Sequence, residues 1–176
     1  MPLHATKQPL SPDRAKNNCG EIAIRIGRDG TWFYHGSPIG RKEMVSLFAS
    51  VLSRQPDGSY WLVTPFEAGR ITVDDAPFVA VQSYICGAGR EMVISLRTNV
   101  DEIVTIDAEH PLRIDVNPET GEPSPYVFVR DGLEARLSRP VYYELVALGF
   151  EEEFEGQSCF GIWSGSVFHQ LGSLEE

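Results

Sequence analysis

The pattern between Arg28 and Phe66 returns, without a gap, 102 residues later between Arg130 and Phe168. Arg28-Asp29-Gly30 aligns with Arg130-Asp131-Gly132, Pro38 with Pro140, Phe48 with Phe150, Gln55 with Gln157, Trp61 with Trp163 and Phe66 with Phe168. These are eight identities in 39 positions, where unrelated sequences of ordinary composition give roughly two or three, so the pattern reads as an internal duplication. The matched residues are turn formers and large apolar side chains, the ones that set a fold. A duplicated unit must bury equivalent faces twice, which limits the chain to two related packing units. Trp61 and Trp163 are therefore expected on equivalent strands, close to Phe48 and Phe150.

Within the first copy, Ile22, Ile24 and Ile26 alternate with polar residues, and Arg28-Asp29-Gly30 supplies a turn before Thr31-Trp32-Phe33-Tyr34. This is a hairpin. Ser37-Pro38 is expected to open a helix. From Arg41 to Ser53, Met44, Val45, Leu47, Phe48, Val51 and Leu52 recur at helical spacing on one face. Tyr60 to Val63 and Ile71 to Val73 read as strands, as do Phe78 to Cys86, Glu91 to Arg97, Ile103 to Ile106 and Leu112 to Val116. Gly87-Ala88-Gly89-Arg90 joins two strands, so it reads as a hairpin turn and not as a phosphate cradle, which leads from strand into helix. The second copy runs from Tyr126 through a strand at Leu133 to Leu137 and a helix at Pro140 to Gly149. That helix is expected to continue through Glu151-Glu152-Glu153 as a solvated face. The strand at Phe160 to Trp163 and a short tail close the chain. The fold class is α+β, with two related hairpin, helix and strand units and mainly antiparallel sheets. The domain reading is a loosely ordered arm at 1–18, an N-terminal domain at 19–77 and a C-terminal domain at 78–176.

Charge excludes more than it assigns. The net charge is −10, and it is uneven: residues 1–100 hold 11 Lys or Arg against 9 Asp or Glu, residues 101–176 hold 4 against 16. Such a chain repels phosphate backbones and anionic lipids, so neither a nucleic-acid polymer nor a membrane is an expected partner. No run of about 18 apolar residues is present, and the first residues lack the pattern of a signal peptide. Cys19, Cys86 and Cys159 are far apart and odd in number, which points to reduced thiols in the cytoplasm. Twelve of the 15 cations are Arg, which reads either as codon bias in a GC-rich genome or as a choice of planar forks that suit phosphate and carboxylate groups.

No nucleophile elbow, phosphate loop, dinucleotide fingerprint or protease signature occurs. His4, His35, His110 and His169 stand alone, so no metal site and no cofactor are expected. Asp74 and Asp75 are adjacent carboxylates that either share acid and base work or bond a turn backbone. Consecutive strand residues point to opposite faces, so the two share a site only if the chain bends there.

Several segments resemble a bacterial family catalogued as domain of unknown function 1285. These are Cys19-Gly20-Glu21-Ile22, Arg28-Asp29-Gly30-Thr31-Trp32, Pro38-Ile39-Gly40-Arg41, Leu47-Phe48, Leu62-Val63-Thr64-Pro65 with Glu67, and Val73-Asp74-Asp75-Ala76-Pro77-Phe78. Ser95-Leu96-Arg97-Thr98-Asn99, His110-Pro111-Leu112-Arg113 and Tyr142-Tyr143-Glu144-Leu145 extend the likeness. The resemblance implies a duplicated α+β fold whose second domain looks like the pleckstrin homology group. It also implies a ligand site at the domain interface for a nucleotide-like molecule, and a signalling role. It supplies no catalytic residues.

Together these readings make the chain a cytoplasmic small-ligand-binding module. The competing readings are an enzyme acting on a small anionic substrate and a partner-binding scaffold without a ligand. The expected ligand residues are Arg41, Thr64, Glu67 and Asp75 from the first half and Arg97, Asn99, His110 and Arg113 from the second. These sit at strand ends, loops or a helix start, where side chains converge. Arginines would take phosphate or carboxylate oxygens, with Asp75 or Glu67 accepting from hydroxyl or amino groups. The alternative is that the same residues form salt bridges. Catalytic residues and oligomeric state are not legible.

Overall fold

The computed structural model describes residues 10–173, apart from the side chains of Phe154 and Ser173. The chain divides after Asp74 into two compact units. No helix among the described residues is long and apolar enough to cross a membrane.

The first unit opens with a 3-10 turn, Pro12–Arg14, and continues through β1 (Asn17–Ile26), β2 (Trp32–Tyr34), β3 (Ser37–Pro38), α1 (Lys42–Ser50), β4 (Leu52–Arg54), β5 (Tyr60–Val63) and β6 (Glu67–Val73). These strands form one sheet in the order β3-β2-β1-β6-β5-β4. The β1–β6 pair is parallel and the others antiparallel. Residues 1–9 of the expected arm lie outside the described residues. Asn17 and Asn18 already pair with Glu67 and Ala68 in the sheet. The core gathers Ile24, Ile26, Trp32, Leu52, Leu62, Ala68 and Ile71.

The second unit contains β7 (Phe78–Cys86), β8 (Val93–Thr98), β9 (Ile103–Thr105), β10 (Leu112–Val116), β11 (Pro123–Arg130), β12 (Leu133–Leu137), α2 (Arg139–Ala147), β13 (Phe150–Phe154), β14 (Gln157–Ser164) and β15 (Val167–Ser173). A six-stranded sheet runs β10-β11-β12-β7-β8-β9, and a second sheet runs β13-β14-β15. Only β12 and β7 pair in parallel. Along β12 the pattern is strict: Leu133, Ala135 and Leu137 are buried while Glu134 and Arg136 face the other side. Ser164 fastens the second sheet to the first, since its hydroxyl accepts from Ile94 N at 2.9 Å and donates to Ile106 O at 2.6 Å.

The two halves share an element order of hairpin, helix and three-stranded meander, which is the duplication read from sequence. Trp61 and Trp163 both lie on the middle strand of that meander, β5 and β14. The frame is not constant between them, however. Shifted by 102, α1 would fall five residues after the observed start of α2. The second copy has no counterpart of the short β3, and a longer β13–β14 hairpin restores the register. Phe48 and Phe150 consequently occupy different elements: Phe48 sits on α1 and stacks on Trp32 at 6.2 Å, whereas Phe150 begins β13 and is 39% exposed.

Several local expectations are corrected. Ser37-Pro38 pairs as β3 instead of opening a helix, because Tyr34 to Ser37 closes a tight turn with His35 and Gly36 both at positive φ. α1 ends at Ser50, so Leu52 and Ser53 enter β4. Its apolar residues do not share one buried face, since Met44 and Leu47 are exposed. Glu151 to Glu153 lie on β13 rather than prolonging α2. The β13 and β15 strands were absent from the sequence reading. Even the repeated Arg-Asp-Gly makes two different turns. In the second copy Asp131 and Gly132 are both at positive φ, with Arg130 facing Leu133. In the first, Gly27 N donates to Thr31 O at 2.8 Å and only Gly30 is at positive φ.

Candidate functional site

The residues expected to bind a ligand are best located within each unit. In the first, Arg41 stands at the start of α1 without a capping bond from its side chain, and is exposed. The Thr64 hydroxyl accepts from Glu67 N at 3.0 Å and closes the β5–β6 turn, and Glu67 begins β6 with an exposed side chain. None of the three is among the residues that line the cleft beside β1 and β6.

In the second unit, Asp75 and Arg113 do converge. Arg113, Tyr126 and Arg136 form a cross-strand row over β10, β11 and β12. The Tyr126 phenol donates to Asp75 at 2.6 Å, and Arg136 approaches the other Asp75 oxygen at 3.5 Å. Burial, reinforced by that carboxylate, pushes the Tyr126 pKa up to about 12. Arg113 lies over the Tyr126 ring at 4.4 Å and donates twice to Glu134, at 3.0 and 3.1 Å. Glu134 thereby raises the Arg113 pKa further. Asp74 bonds Arg25 of β1, so the adjacent carboxylates hold different partners and do not form an acid and base pair.

Arg97 and Asn99 lie elsewhere. Arg97 bonds Asp101 at 2.8 Å and Gln82 at 3.1 Å. The Asn99 amide oxygen accepts from Val79 N at 3.0 Å, pinning the start of β7. Four strand spacings separate β8 from β10, and Arg97 and Arg113 hold different carboxylates, Asp101 and Glu134. His110 donates its backbone N–H to Asp107 at 2.8 Å, and its ring meets the same oxygen at 2.9 Å. The expected residues thus occupy several structural clusters in place of one.

The cavity that sequence reading missed is a cleft of about 300 Å³ in the first unit, lined by Glu21, Ile22, Gly58, Ser59, Tyr60, Arg70, Ile71, Thr72 and Val73. Its cause lies in the register of β1 and β6. Glu21 faces Arg70 and Arg25 faces Thr72, so four residue steps on β1 span two on β6, with another irregularity between Asn18 and Glu21. Gly20, at φ 65, permits the first of these bulges. Glu21, Ile22 and Arg70 line the cleft beside these bulges.

Within the cleft, Ser59 is engaged: its hydroxyl donates to Asp57 and accepts from the Trp61 indole at 2.9 Å. Those bonds from Ser59 hold the Asp57 carboxyl below its usual range, with Arg70 adding a weaker pull. The side chains of Arg70 and Glu21 make no hydrogen bond or ion pair among the described residues. No group of three or more metal-ligating side chains occurs among the described residues. A lone Arg in a strand carries no sequence signal; only the bulge distinguishes Arg70.

The comparisons now bear on this architecture. Residues 13–76 match the family described as "Domain of unknown function (DUF1285), N-terminal domain", and residues 77–171 match "Protein of unknown function (DUF1285), C-terminal domain". The chain belongs to the DUF1285 family. A solved DUF1285 protein from Silicibacter pomeroyi DSS-3 is 44% identical, with a TM-score of 0.82, over 96% of this chain and 90% of that one. A second DUF1285 structure, from Shewanella baltica OS155, is 25% identical with a TM-score of 0.57, over 72% of this chain and 91% of that one. No curated protein matches. DUF1285 membership therefore fixes the fold and the two-domain plan, while the cleft and the charged row rest on this chain's own geometry.

Proposed function

We propose that the protein is a cytoplasmic module that binds a small anionic ligand, with Arg70 as the anion contact in the β1–β6 cleft. The observation that carries this reading is an arginine beside a cavity that bonds no carboxylate, Asp57 feeling its charge only weakly. Arg97 and Arg113 each hold a carboxylate already, whereas Arg70 holds none among the described residues. An anion at Arg113 would have to compete with Glu134, while one at Arg70 meets no bonded carboxylate among the described residues. The volume also limits the ligand. About 300 Å³ is the lower end of ligand pockets, which span roughly 300 to 1,000 Å³, and this favours a molecule smaller than a nucleotide. Exposed Cys19 and Cys86 thiols suit a reducing compartment.

In this reading Asp75, Arg97 and Arg113 are braces of the second unit's sheet. Two substitutions separate brace from ligand contact. Chemical-shift titration with inorganic phosphate and with propionate should move the amides of Glu21, Arg70 and Thr72, and Arg70→Ala should abolish that response without lowering the apo melting temperature. Arg113→Ala should leave the titration intact while destabilising the apo protein. Binding that survives Arg70→Ala would overturn the assignment.

A further inference from the structure

Glu21 and Arg70 are register partners on neighbouring strands and carry opposite charge. Strands in a sheet lie about 4.8 Å apart, within easy reach of two such long side chains. An ion pair would be the ordinary outcome, yet neither residue forms one among the described residues. The backbone accounts for this. β1 is bulged on both sides of Glu21, and the next residue, Ile22, is seated over Gly69, where an added Cβ would lie only 2.8 Å from the Ile22 side chain. Ile22 is thus packed onto the sheet beside these bulges, and Glu21 and Arg70 both line the cleft without meeting.

A cation and an anion held apart across one small cavity are the complement of a molecule that carries both charges. We propose that the cleft takes a small zwitterion of the amino-acid class, its carboxylate on Arg70 and its ammonium on Glu21. This rests on the reading of Arg70 as the anion contact and adds the second pole. Three features favour a zwitterion over a phosphate. Arg70 faces two carboxylates, Glu21 in the lining and Asp57 close enough to feel its charge, so a dianion would gain from Arg70 and lose to both. The Ser59 hydroxyl is bonded on both sides, which leaves Thr72 as the lining hydroxyl without a side-chain bond to a described residue. The volume of about 300 Å³ suits a single small molecule.

The test uses three probes that differ at one position: propionate, lactate and free alanine carry hydrogen, hydroxyl and ammonium on the same carbon. Each is titrated into the full chain and followed by amide chemical shifts, with the wild type, Arg70→Ala and Glu21→Gln. The expected order is alanine tightest, with propionate weaker by about tenfold or more, the scale of one charge-assisted hydrogen bond. Glu21→Gln should bring alanine down to the level of propionate and leave propionate unweakened, and Arg70→Ala should remove all three. If alanine and propionate bind equally, or Glu21→Gln leaves their ratio unchanged, the zwitterion falls and the anion contact stands. Lactate binding tighter than alanine also overturns it, in favour of a hydroxy acid. If none of the three binds, or all bind Arg70→Ala as well as wild type, the anion contact itself falls. Both side chains are exposed, so the variants keep the fold, and unchanged amide dispersion verifies it.

Discussion

Tyr126 and His169 both couple protonation to folding. The Tyr126 phenol has an ordinary value of 10.0 and rises to about 12 through burial and its bond to Asp75. The folded chain holds that proton more tightly than the unfolded one, so the contribution is complete below pH 10.0 and is lost as the pH climbs toward 12. Tyr126→Phe should flatten this alkaline slope and, by removing one donor from Asp75, cost about 1 to 2 kcal/mol at neutral pH. Urea midpoints of both forms across the alkaline range test it; equal slopes would refute the coupling. His169 behaves in the opposite sense. It is 5% exposed, and burial lowers its pKa below the ordinary 6.5, although the Ser164 carbonyl and Asp107 act the other way. The unfolded chain takes up the proton first, so stability falls as the pH drops below 6.5. His169→Gln should remove that part of the acid slope, read from melting temperatures on either side of neutrality.

At the scale of elements, the two helices are held differently. Ser138 caps α2, accepting from Val141 N at 3.4 Å, and Pro140 follows within its first turn. Val141 and Leu145, one turn apart, are 1% and 0% exposed. Leu145→Ala should cost about 2 to 5 kcal/mol through the cavity it leaves, and Ser138→Ala about 1 kcal/mol. In α1 the helix start has no side-chain cap, and Ala49 is its buried residue. Phe48 is half-buried against Trp32, so Phe48→Ala should cost less than Leu145→Ala. The order of the two denaturation midpoints decides the point. Sequence periodicity showed that a helix lies here, but Met44, Leu47 and Phe48 all register as apolar whether or not the sheet covers them. The choice of buried face belongs to the packing.

For the whole molecule, charge divides where the chain divides. Residues 1–74 carry 9 Lys or Arg against 7 Asp or Glu, and residues 75–176 carry 6 against 18. The second unit is therefore under self-repulsion that salt screens, with a Debye length of about 10 Å at 0.1 M. Raising salt from low to physiological concentration should increase the melting temperature. Its local ion pairs, such as Arg97 with Asp101 and Arg113 with Glu134, are each weakened by the same screening but are half-exposed and individually small. A melting temperature that falls with added salt would show that these pairs outweigh the net repulsion.

The strands at 78–86, 112–116 and 133–137 were legible with their boundaries, because alternation and β-branched composition act within one segment. The duplication was legible because shared turn formers and tryptophans survive in order. The slip between the helices was not, since an ungapped frame cannot see that one copy lacks β3. The candidate site divided in the same way. Asp75 and Arg113 stood out as polar residues at element ends, and the fold brings them to Tyr126, yet it also gives each a partner that absorbs its charge. Arg70 and Glu21 carried no local signal. Sequence by itself determined which segments pair and turn, through local propensity and periodicity. The cleft depends on strand register, and the bulged register of β1 on β6 is decided only when the strands pack, with Ile22 seated over Gly69.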